Sequence, residues 1–462
     1  MLLSFYGACR EVTGSNILLE TSSGKIIIEC GFFQGGKLSE ERNSEPFAFD
    51  PKTCGPAILG HAHLDHTGRL PKLVKEGFKG QIFATAPTKE LATLVLEDAQ
   101  KLMEEEAERN GHSPLYSKAD VEKTIGLFTT IPYSGRVEVA KGVYLTFLNA
   151  GHILGSAISL IETEGIKIAY TSDLGNKPSL LLDEPKNVAG ADYVICESTY
   201  GGRIHEDVSR RQLVLSEIIN STISQNGVLL VPSFAIERTQ EFLHDIDHFC
   251  TINGCQKPTF FLDSPLAERV TEVFKKYPKF LSDKLRNEHA DYDFFGLDRV
   301  KFTTTVEESK GIEFAANPKV IIAGSGMMTG GRILHHARKY LSSAKNTLLI
   351  VGYQAKGTTG RKLLDGEQKI NIFGKTVAVN AKIKAIGSYS AHADSPQIID
   401  WISKINGVKK VFLVHGENDQ SLILSKLLRN KVNLDVEIPQ QGESFDLTKS
   451  GKEESYVNLS NI

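Results

Sequence analysis

Short apolar stretches separated by turn residues open the chain. Residues 2–5, 16–20 and 25–30 are predicted as strands, with Gly14-Ser15 and Ser22-Ser23-Gly24 as the turns between them. This pattern predicts a β-meander. Helices are then predicted at 71–78, 88–109 and 118–126, and strands at 143–149, 157–162 and 167–171.

From residue 193 onward, strands alternate with helices. The predicted strands are 193–196, 228–231, 258–262, 319–323 and 347–351. The predicted helices are 207–225, 237–250, 265–276, 332–342 and 359–365. This βαβ alternation predicts a parallel sheet with helices on its faces.

A second change of pattern follows, because residues 369–386 are again predicted as meander strands. After them come a helix at 395–405, a strand at 410–414, a helix at 419–428 and a strand at 433–437. A meander pattern on both sides of a βαβ pattern favours an α/β protein with an inserted domain.

Composition narrows the class of protein. The chain has 462 residues, enough for two or three domains. It carries 53 basic and 56 acidic residues, for a net charge of −3. A protein that grips long duplexes non-specifically is usually more basic. If nucleic acid is the partner, positive charge must therefore be local, in a groove or at a bound metal.

Cysteine usage and hydropathy indicate the compartment. The six cysteines form no even framework, and Cys250 and Cys255 lack a second pair, so reduced thiols are predicted. The N-terminus has no basic region before an apolar stretch. No apolar run approaches the ~18 residues of a membrane helix. The sequence predicts a soluble cytoplasmic protein.

The densest candidate chemistry lies in the loop His61-Ala62-His63-Leu64-Asp65-His66, directly after the apolar run 56–59. Imidazole and carboxylate are ligands that suit zinc. On an extended backbone His61, His63 and Asp65 share a face while His66 turns away. One loop could therefore serve two metal positions. The alternative is a polar loop with surface histidines.

Further imidazole and carboxylate side chains lie where predicted strands end or where glycines flank them. They are Glu29, His152, Asp173, His392 and His415. Each by itself is more often a structural polar residue, but their number and shared position favour one functional site.

In chain order, the His61–His66 loop with His152, Asp173 and His415 resembles the metallo-β-lactamase superfamily. Glu197, His392 and His415 are similar to the three extra motifs of its β-CASP branch, the nucleases that process nucleic acids. The resemblance implies an αββα sandwich with an inserted β-CASP domain that contains a mainly parallel sheet flanked by helices. The implied boundaries are 1–178, 179–369 and 370–462.

The resemblance also implies two zinc ions. One would be held by His61, His63 and His152, and the other by Asp65, His66 and His415, with Asp173 bridging the two. Two such ions can activate water at neutral pH and stabilise an in-line phosphoryl displacement.

The same resemblance assigns catalytic roles to His392 and Glu197, and also to Asp65, which is at the same time a metal ligand. His392 would be the general acid for the leaving 3′-oxygen, and Glu197 would orient that imidazole and raise its pKa. Asp394 is predicted as a helix cap instead. Glu29 stands where the family usually has Asp. Since glutamate is one methylene longer, its hydrogen bond to the site must be re-aimed.

A glycine-rich loop at 323–332 follows a predicted strand and precedes a predicted helix. Its glycines could let backbone N–H groups approach an anion, or could only form a tight turn. The family has a similar loop facing substrate phosphates, and segments 232–238 and 352–361 have the same character. The predicted phosphate contacts are Ser233, Arg238, Ser325, Gly326, Met327, Arg332 and Lys356.

The leading hypothesis is a zinc-dependent endoribonuclease that acts on single-stranded RNA. The choice of RNA rests on His415, since RNA-processing relatives carry histidine at that motif. The alternatives are a DNA nuclease of the same family, a thioester or lactone hydrolase, and a non-catalytic RNA-binding scaffold. Additional 5′ exonuclease activity, the RNA sequence that is cut and a homodimer are left open.

Overall fold

The computed structural model describes residues 1–35, 39, 41–253, 258–288, 295 and 297–448. The chain divides into two compact units, the first made of residues 1–204 and 392–462 and the second of residues 205–391. The sequence placed the ends of the insertion at 179 and 369, and the division of the structure falls after Ile204 and after Ala391.

The first unit contains two sheets of seven strands each. One sheet holds β1 (Leu2–Gly7), β2 (Asn16–Thr21), β3 (Gly24–Ile28), β4 (Cys54–Ile58), β5 (Ile82–Ala84), β6 (Phe128–Thr130) and β22 (Ser444–Asp446). Its strand order is β22-β1-β2-β3-β4-β5-β6. The pairs β1–β2 and β2–β3 are antiparallel, which confirms the predicted opening meander.

The second sheet of this unit joins the middle of the chain to its C-terminal part. It holds β7 (Arg136–Ala140), β8 (Val143–Asn149), β9 (Ala157–Thr163), β10 (Ile166–Tyr170), β11 (Tyr193–Glu197), β20 (Lys410–Val414) and β21 (Val436–Glu437). The order is β21-β20-β11-β10-β9-β8-β7. Strands β10, β11 and β20 pair in parallel, so their carboxyl ends meet at one edge of the sheet.

One core lies between the two sheets, and helices cover their outer faces. Phe5 and Ile28 of the first sheet are buried in one cluster with Phe147, Ile168 and Phe412 of the second. Alternate residues of each strand can fill such a core because successive side chains point to opposite faces.

The helices of the first unit are α1 (Leu64–Thr67), α2 (Leu70–Lys75), α3 (Ala86–Asn110), α4 (Lys118–Gly126), α12 (Ser395–Ser403) and α13 (Asn418–Val432). Trp401 of α12 and Leu424 of α13 pack on the second sheet. Leu96 of α3 and Val121 of α4 pack together with Phe32. The helix–sheet–sheet–helix arrangement confirms the predicted fold class.

The second unit contains a six-stranded sheet in which every pair is parallel. Its strands are β12 (Val228–Pro232), β13 (Thr259–Asp263), β14 (Val300–Phe302), β15 (Lys319–Ala323), β16 (Thr347–Ile350) and β19 (Lys382–Ala385). Its helices are α5 (Arg211–Ser224), α6 (Arg238–Asn253), α7 (Pro265–Lys276), α8 (Asp283–Glu288), α9 (Val306–Gly311), α10 (Arg332–Tyr340) and α11 (Thr359–Leu364). The predicted parallel sheet flanked by helices is confirmed.

The prediction of meander strands over 369–386 is only half right. Strands β17 (Lys369–Ile372) and β18 (Lys375–Ala378) form an antiparallel hairpin. Strand β19 instead pairs in parallel with β16 and extends the sheet of the second unit. The pattern of a single exposed edge strand does not reveal which partner it will take, because pairing direction is set by topology.

The cysteines are of two kinds. Cys9, Cys30, Cys54 and Cys196 are buried free thiols, as predicted. Cys250 is disulfide-bonded, so the prediction of a reduced thiol is wrong there. Cys255 lies outside the described residues. Within those residues, no helix combines the length and the apolar character that crossing a membrane requires.

A buried ion network in the second unit gives a prediction about acid stability. Asp245 Oδ2 accepts from the Tyr389 hydroxyl at 2.6 Å and lies 3.0 Å from Arg211 Nε. Burial opposes ionisation of Asp245, but Arg211 and the hydrogen bonds outweigh it and lower the pKa to about 2. A carboxyl whose pKa is lower in the folded than in the unfolded protein stabilises the fold above its unfolded pKa, and the stabilisation disappears as the pH falls through the folded pKa.

We therefore expect the stabilisation by ionised Asp245, about 2 kcal/mol, to disappear between about pH 4 and pH 2. The measurement is urea unfolding of the wild type and of Asp245→Asn at a series of pH values. The difference in free energy of unfolding should shrink as the pH falls through this range. A difference that stays constant with pH would show that the Asp245 pKa is not lowered.

Candidate metal centre

The sequence-predicted ligands lie in loops that follow the strands of the first unit. The His61–His66 loop follows β4, and His152, Asp173 and His415 follow β8, β10 and β20. These strands are short and apolar, so they bury themselves in the two sheets and leave polar residues at their carboxyl ends. The structure brings all seven predicted ligands together within overlapping clusters.

In the first cluster, His61, His63, His152 and Asp173 each place one ligand atom within 4.8 Å of the others. His63 Nδ1 lies 3.0 Å from His61 Nε2 and 3.3 Å from His152 Nε2. Asp173 Oδ2 lies 3.4 Å from His61 Nε2 and 3.5 Å from His152 Nε2. Three imidazole nitrogens and one carboxylate oxygen therefore face a common point.

In the second cluster, Asp65, His66 and His415 meet the same criterion. Asp65 Oδ2 lies 3.2 Å from His415 Nε2 and 3.9 Å from His66 Nε2. Asp173 Oδ1 is 3.5 Å from His66 Nε2 and 3.6 Å from His415 Nδ1. The two oxygens of Asp173 thus face different clusters, Oδ2 the first and Oδ1 the second.

Buried polar atoms without a hydrogen-bond partner show that the donor atoms of the site fit a metal ion. Among the described residues, both ring nitrogens of His66 and Oδ1 of Asp173 are buried and have no hydrogen-bond partner. A buried polar atom without a partner costs about 1–3 kcal/mol, so such atoms imply a ligand. A divalent cation held by nitrogen and oxygen donors would satisfy these atoms together.

The protonation of the first cluster also suits a cation, whereas in the second cluster Asp173 and Asp65 outweigh burial and raise the pKa of His66 well above its usual value. Burial lowers the pKa of His61 well below its usual value and that of His63 to about 4, so both imidazoles are neutral, the form that binds metals. Burial opposes ionisation of Asp65 and Asp173, but neighbouring imidazoles outweigh it and lower the pKa of each carboxyl. The carboxylates are therefore ionised, which is also the ligand form.

A further layer of polar contacts positions the histidines. Glu29 Oε1 accepts from the Gly60 N–H at 3.0 Å and from the Ser172 hydroxyl at 3.2 Å. Ser172 Oγ in turn lies 2.9 Å from His61 Nδ1, and Glu29 Oε1 lies 3.6 Å from His66 Nδ1. The longer side chain of Glu29 therefore reaches one histidine through a serine hydroxyl and approaches another directly. Such contacts hold the ring orientation of a ligand.

Three residues of these loops adopt the left-handed region that non-glycine residues rarely occupy. The φ angles are 60° at Glu29, 52° at Ser172 and 47° at His415. Each such residue costs about 1–3 kcal/mol and persists only where its surroundings fix it. Here the chain turns sharply at the end of a buried strand, and the turn aims the side chain at the site.

His392 and Glu197 form a pair beside the first cluster. His392 Nδ1 lies 3.1 and 3.0 Å from the two oxygens of Glu197, and Glu197 Oε1 also accepts from the Leu174 N–H at 2.6 Å. The His392 and His152 ring centroids are 4.6 Å apart. Burial acts to lower the pKa of His392, but Glu197 and then Asp173 outweigh it, so the pKa is raised. The arrangement favours a protonated imidazole.

Asp394, two residues further on, has the predicted structural role. Its side chain accepts from the Gln397 N–H at 3.1 Å and caps α12. An aspartate at this position satisfies a backbone donor that the helix itself leaves without a partner. The prediction of a helix cap is confirmed.

Two residues of the site were not singled out from the sequence. Ser172 carries the contact between Glu29 and His61, and the Thr199 hydroxyl lies 3.1 Å from His415 Nδ1. Both stand next to a predicted site residue or within two positions of one, in Thr171-Ser172-Asp173 and Glu197-Ser198-Thr199. That adjacency is the only signal that could have indicated them.

The predicted phosphate contacts lie in the second unit, in loops at the carboxyl edge of its parallel sheet. The loops contact one another: the Ser233 N–H donates to the Ala323 carbonyl at 3.0 Å, and Gln354 Nε2 donates to the Gly326 carbonyl at 2.9 Å. Ser233, Gly326 and Met327 are buried, whereas Lys356 is exposed. Ser325 Oγ accepts from the N–H groups of its own loop.

The two arginines predicted to contact phosphate bind protein groups instead. Arg238 is buried and donates to Glu241 and to the Tyr389 carbonyl. Arg332 donates to Asp263 at 2.6 Å and also to backbone carbonyls. A guanidinium that is already neutralised by a buried carboxylate has little left to offer a phosphate. The contact of these two arginines with phosphate therefore stays a prediction.

The close approach of two backbones at the ligand loop gives a prediction. A Cβ on Gly31 would lie 1.6 Å from the Asp65 carbonyl oxygen, which is backbone and cannot rotate away. Gly31→Ala is expected to lower the free energy of unfolding by about 1–3 kcal/mol and to reduce bound metal, because the loop must shift. Gly126→Ala, where a Cβ would meet nothing within 4 Å, is the matched control. Equal stability of the two variants would contradict the prediction.

Comparison with known proteins supports one family along most of the chain. A model of the metallo-beta-lactamase superfamily domain matches residues 18–189. A model of the Beta-Casp domain matches residues 239–363, and one of the Zn-dependent metallo-hydrolase RNA specificity domain matches residues 376–439.

Three relatives align with more than nine-tenths of this chain. Ribonuclease TTHA0252 of Thermus thermophilus is 38% identical over 427 residues, which cover 92% of this chain and 95% of the relative. An RNase J-like protein of Methanocaldococcus jannaschii is 30% identical, over 96% of this chain and 99% of the relative. The transcription termination factor FttA of Thermococcus kodakarensis is 29% identical, over 96% and 70%.

A solved structure extends the likeness to the fold. The crystal structure of a protein of unknown function from Enterococcus faecalis aligns with a TM-score of 0.56 over 96% of this chain and 99% of that one, at 11% identity. With relatives at 30% identity or more along almost its full length, the chain belongs to the β-CASP family of hydrolytic nucleases in the metallo-β-lactamase superfamily.

Proposed function

We propose that the protein is a zinc-dependent endoribonuclease that hydrolyses phosphodiester bonds of single-stranded RNA with two metal ions. The observation that carries the proposal is the division of Asp173 between the clusters, with one oxygen facing each, next to the His392–Glu197 pair. Two adjacent cation sites that share a carboxylate suit phosphoryl transfer, where charge develops on several oxygens at once.

The chain would hold the ions with the residues implied by the family resemblance. His61, His63 and His152 would bind one ion, Asp65, His66 and His415 the other, and Asp173 both. When bound, the two ions would supply the positive charge that activates a water molecule and stabilises the phosphoryl oxygens. Glu29 and Ser172 hold the rings of His61 and His66 in place and so fix the position of the donors.

His392 would deliver a proton to the leaving oxygen. Its Nδ1 is engaged by both oxygens of Glu197, which fixes the orientation of the ring beside the first cluster. Glu197 is 0% exposed and accepts from a backbone N–H, so it is fixed as a partner and cannot rotate toward solvent. A general acid oriented in this way is worth about 10²–10⁴ in rate.

RNA is proposed as the substrate on two grounds. Two of the relatives are named as ribonucleases, and the domain that matches residues 376–439 is described as an RNA specificity domain. His415, on which the choice of RNA over DNA was based, lies in the second cluster.

We propose residues 205–391 as the inserted domain that presents the substrate, because the Beta-Casp match falls inside this unit. Within it, Lys356 and the Ser325 loop are the proposed phosphate contacts. Lys356 is exposed, and the Ser325 loop lies at the N-terminus of α10. Both features suit a group that must meet an anion from solvent.

The experiment compares cleavage of RNA and DNA oligonucleotides of the same sequence by zinc-loaded, chelator-treated and zinc-restored protein. Internal cleavage of RNA that stops on chelation and returns with zinc is expected, with about two zinc ions bound per chain. Equal cleavage of DNA would refute the RNA preference. Cleavage by metal-free protein would refute metal dependence, and tight RNA binding without any cleavage would favour a scaffold.

A further inference from the structure

A tyrosine that the proposed chemistry does not use lies beside His392. The Tyr200 ring centroid is 6.2 Å from that of His392. Tyr200 is half-buried, whereas Tyr116 and Tyr389, which pack in the interior, are 0% exposed. One part of the Tyr200 side chain is therefore accessible at the edge of the site.

An arginine accompanies the tyrosine. The guanidinium carbon of Arg203 lies 6.0 Å from the centre of the Tyr200 ring, and the Arg203 side chain is exposed. Tyr200, Gly201, Gly202 and Arg203 form one tight turn, closed by the hydrogen bond from the Arg203 N–H to the Tyr200 carbonyl at 3.0 Å. The turn puts an aromatic ring and a planar cation on the same surface.

The turn is held firmly by the rest of the first unit. Tyr200 forms a β-bridge with Asp394, and the Arg203 carbonyl accepts from the Ser395 N–H at 3.1 Å. The Gly202 N–H donates to Gln420 Oε1 at 3.0 Å. Asp394 and Ser395, which make the first two of these contacts, lie two and three residues after His392. The position of the turn is thus tied to the position of the proposed general acid.

We propose that Tyr200 and Arg203 form a stacking site for the nucleobase of a nucleotide next to the scissile bond. The inference rests on the proposed ribonuclease function, and it adds a base contact that the metal and acid groups do not supply. Proteins that bind single-stranded RNA stack bases on aromatic rings and on guanidinium planes.

The distances suit this occupant. Stacked carbon atoms lie about 3.5–4.0 Å apart, so a base between ring and guanidinium needs about 7–8 Å. The guanidinium carbon of Arg203 and the centre of the Tyr200 ring are 6.0 Å apart. The exposed Arg203 side chain therefore has to move outward by only the difference between this distance and the required spacing. Because every base has a flat face, the site would hold the strand in register without selecting strongly among sequences.

The test is a cycle that combines protein variants with abasic RNA. A short RNA with one mapped cleavage site is compared with versions that lack a single base at each position flanking the cut. At one position the wild type should lose about tenfold in kcat/KM. Tyr200→Ala should lose about as much on the intact RNA and nothing further on that abasic RNA. Tyr200→Phe should behave as the wild type, and Arg203→Ala should show a smaller loss of the same kind.

A structural role for Tyr200 would give a different pattern. If removal of the base lowers kcat/KM by the same factor in the wild type and in Tyr200→Ala, the two effects are independent and the stacking site is refuted. Bound zinc and thermal unfolding of Tyr200→Ala, expected to match the wild type, exclude a disrupted fold as the cause of a loss.

A binding measurement separates this inference from the proposed function. The fluorescent base 2-aminopurine is placed in the RNA at the sensitive position, or at each position in turn if no cleavage is seen. Its fluorescence should be quenched when the wild type binds and not when Tyr200→Ala binds. Quenching without cleavage would refute the nuclease and support the stacking site. Cleavage with no quenching difference would support the nuclease and refute the stacking site.

Discussion

Asp173→Ala is expected to bind fewer than two zinc ions per chain and to cleave RNA at least about 10³-fold more slowly. Asp173 places one oxygen against each cluster, 3.4 Å from His61 Nε2 and 3.5 Å from His66 Nε2, so its loss removes a donor from both sites. Metal ions contribute several kcal/mol of transition-state stabilisation, and about 4 kcal/mol corresponds to 10³ in rate.

Zinc per chain by elemental analysis and cleavage rate under single-turnover conditions are the two measurements. Asp400→Asn is the matched control, since Asp400 is half-exposed and pairs with Lys404 on the surface of α12. The control should retain both metal and activity. If Asp173→Ala binds two zinc ions as tightly as the wild type, Asp173 does not bridge them.

His392→Ala is expected to retain both zinc ions and yet lower kcat by about 10²–10⁴. His392 is held by Glu197 at 3.0 Å, and its Nδ1 lies 4.0 Å from Asp173 Oδ2, at the edge of the clusters and outside the proposed ligand set. Its removal should therefore leave the ions in place and remove only the proton donor for the leaving group.

A modified substrate distinguishes the loss of a proton donor from general damage. In an RNA with sulfur in place of the leaving 3′-oxygen, the sulfur departs as a thiolate without protonation. His392→Ala should therefore cleave this RNA nearly as fast as the wild type does. His112→Ala, which changes an exposed histidine far along the chain from any proposed ligand, is the control and should act as the wild type on both RNAs. An equal loss on the oxygen and sulfur substrates would rule out the general-acid role.

Elements with a long uninterrupted pattern were predictable from the sequence. The predicted strands 143–149 and 319–323 coincide with β8 (Val143–Asn149) and β15 (Lys319–Ala323). Strands β5 (Ile82–Ala84) and β6 (Phe128–Thr130) were not predicted. Three residues carry too little periodicity to stand out, and such strands are stabilised by the neighbours they pair with.

Helix ends depended on caps. The helix predicted from residue 88 begins at Ala86, because the Thr85 hydroxyl accepts from the Thr88 N–H and Pro87 suits the first turn. The helix ends one residue before Gly111, whose φ of 71° closes it. The sequence Thr85-Ala86-Pro87 indicates this helix start once Thr85 is considered as an N-cap.

For the candidate site, residue type and spacing indicated the imidazoles and carboxylates but not their partners. Ser172 and Thr199 belong to a common residue type, and only distances of 2.9 and 3.1 Å to histidine nitrogens give them a role. The two predicted arginines, whose contact with phosphate stays a prediction, show the opposite case. Arg332 meets Asp263 across 69 residues of sequence, and no local pattern indicates that the guanidinium is already neutralised.

The distribution of the proposed ligands along the chain has a consequence for the synthesis of this nuclease. His415 approaches Asp65 across 350 residues, and β22 pairs with β1 through Leu2 and Asp446. A nascent chain that ends at residue 400 contains every other proposed ligand but not His415. Ribosome-bound chains stalled there are expected to cut no RNA, whereas chains with residues through 446 outside the ribosome should cut it. The enzyme then acquires its activity only after residues through 446 have left the ribosome.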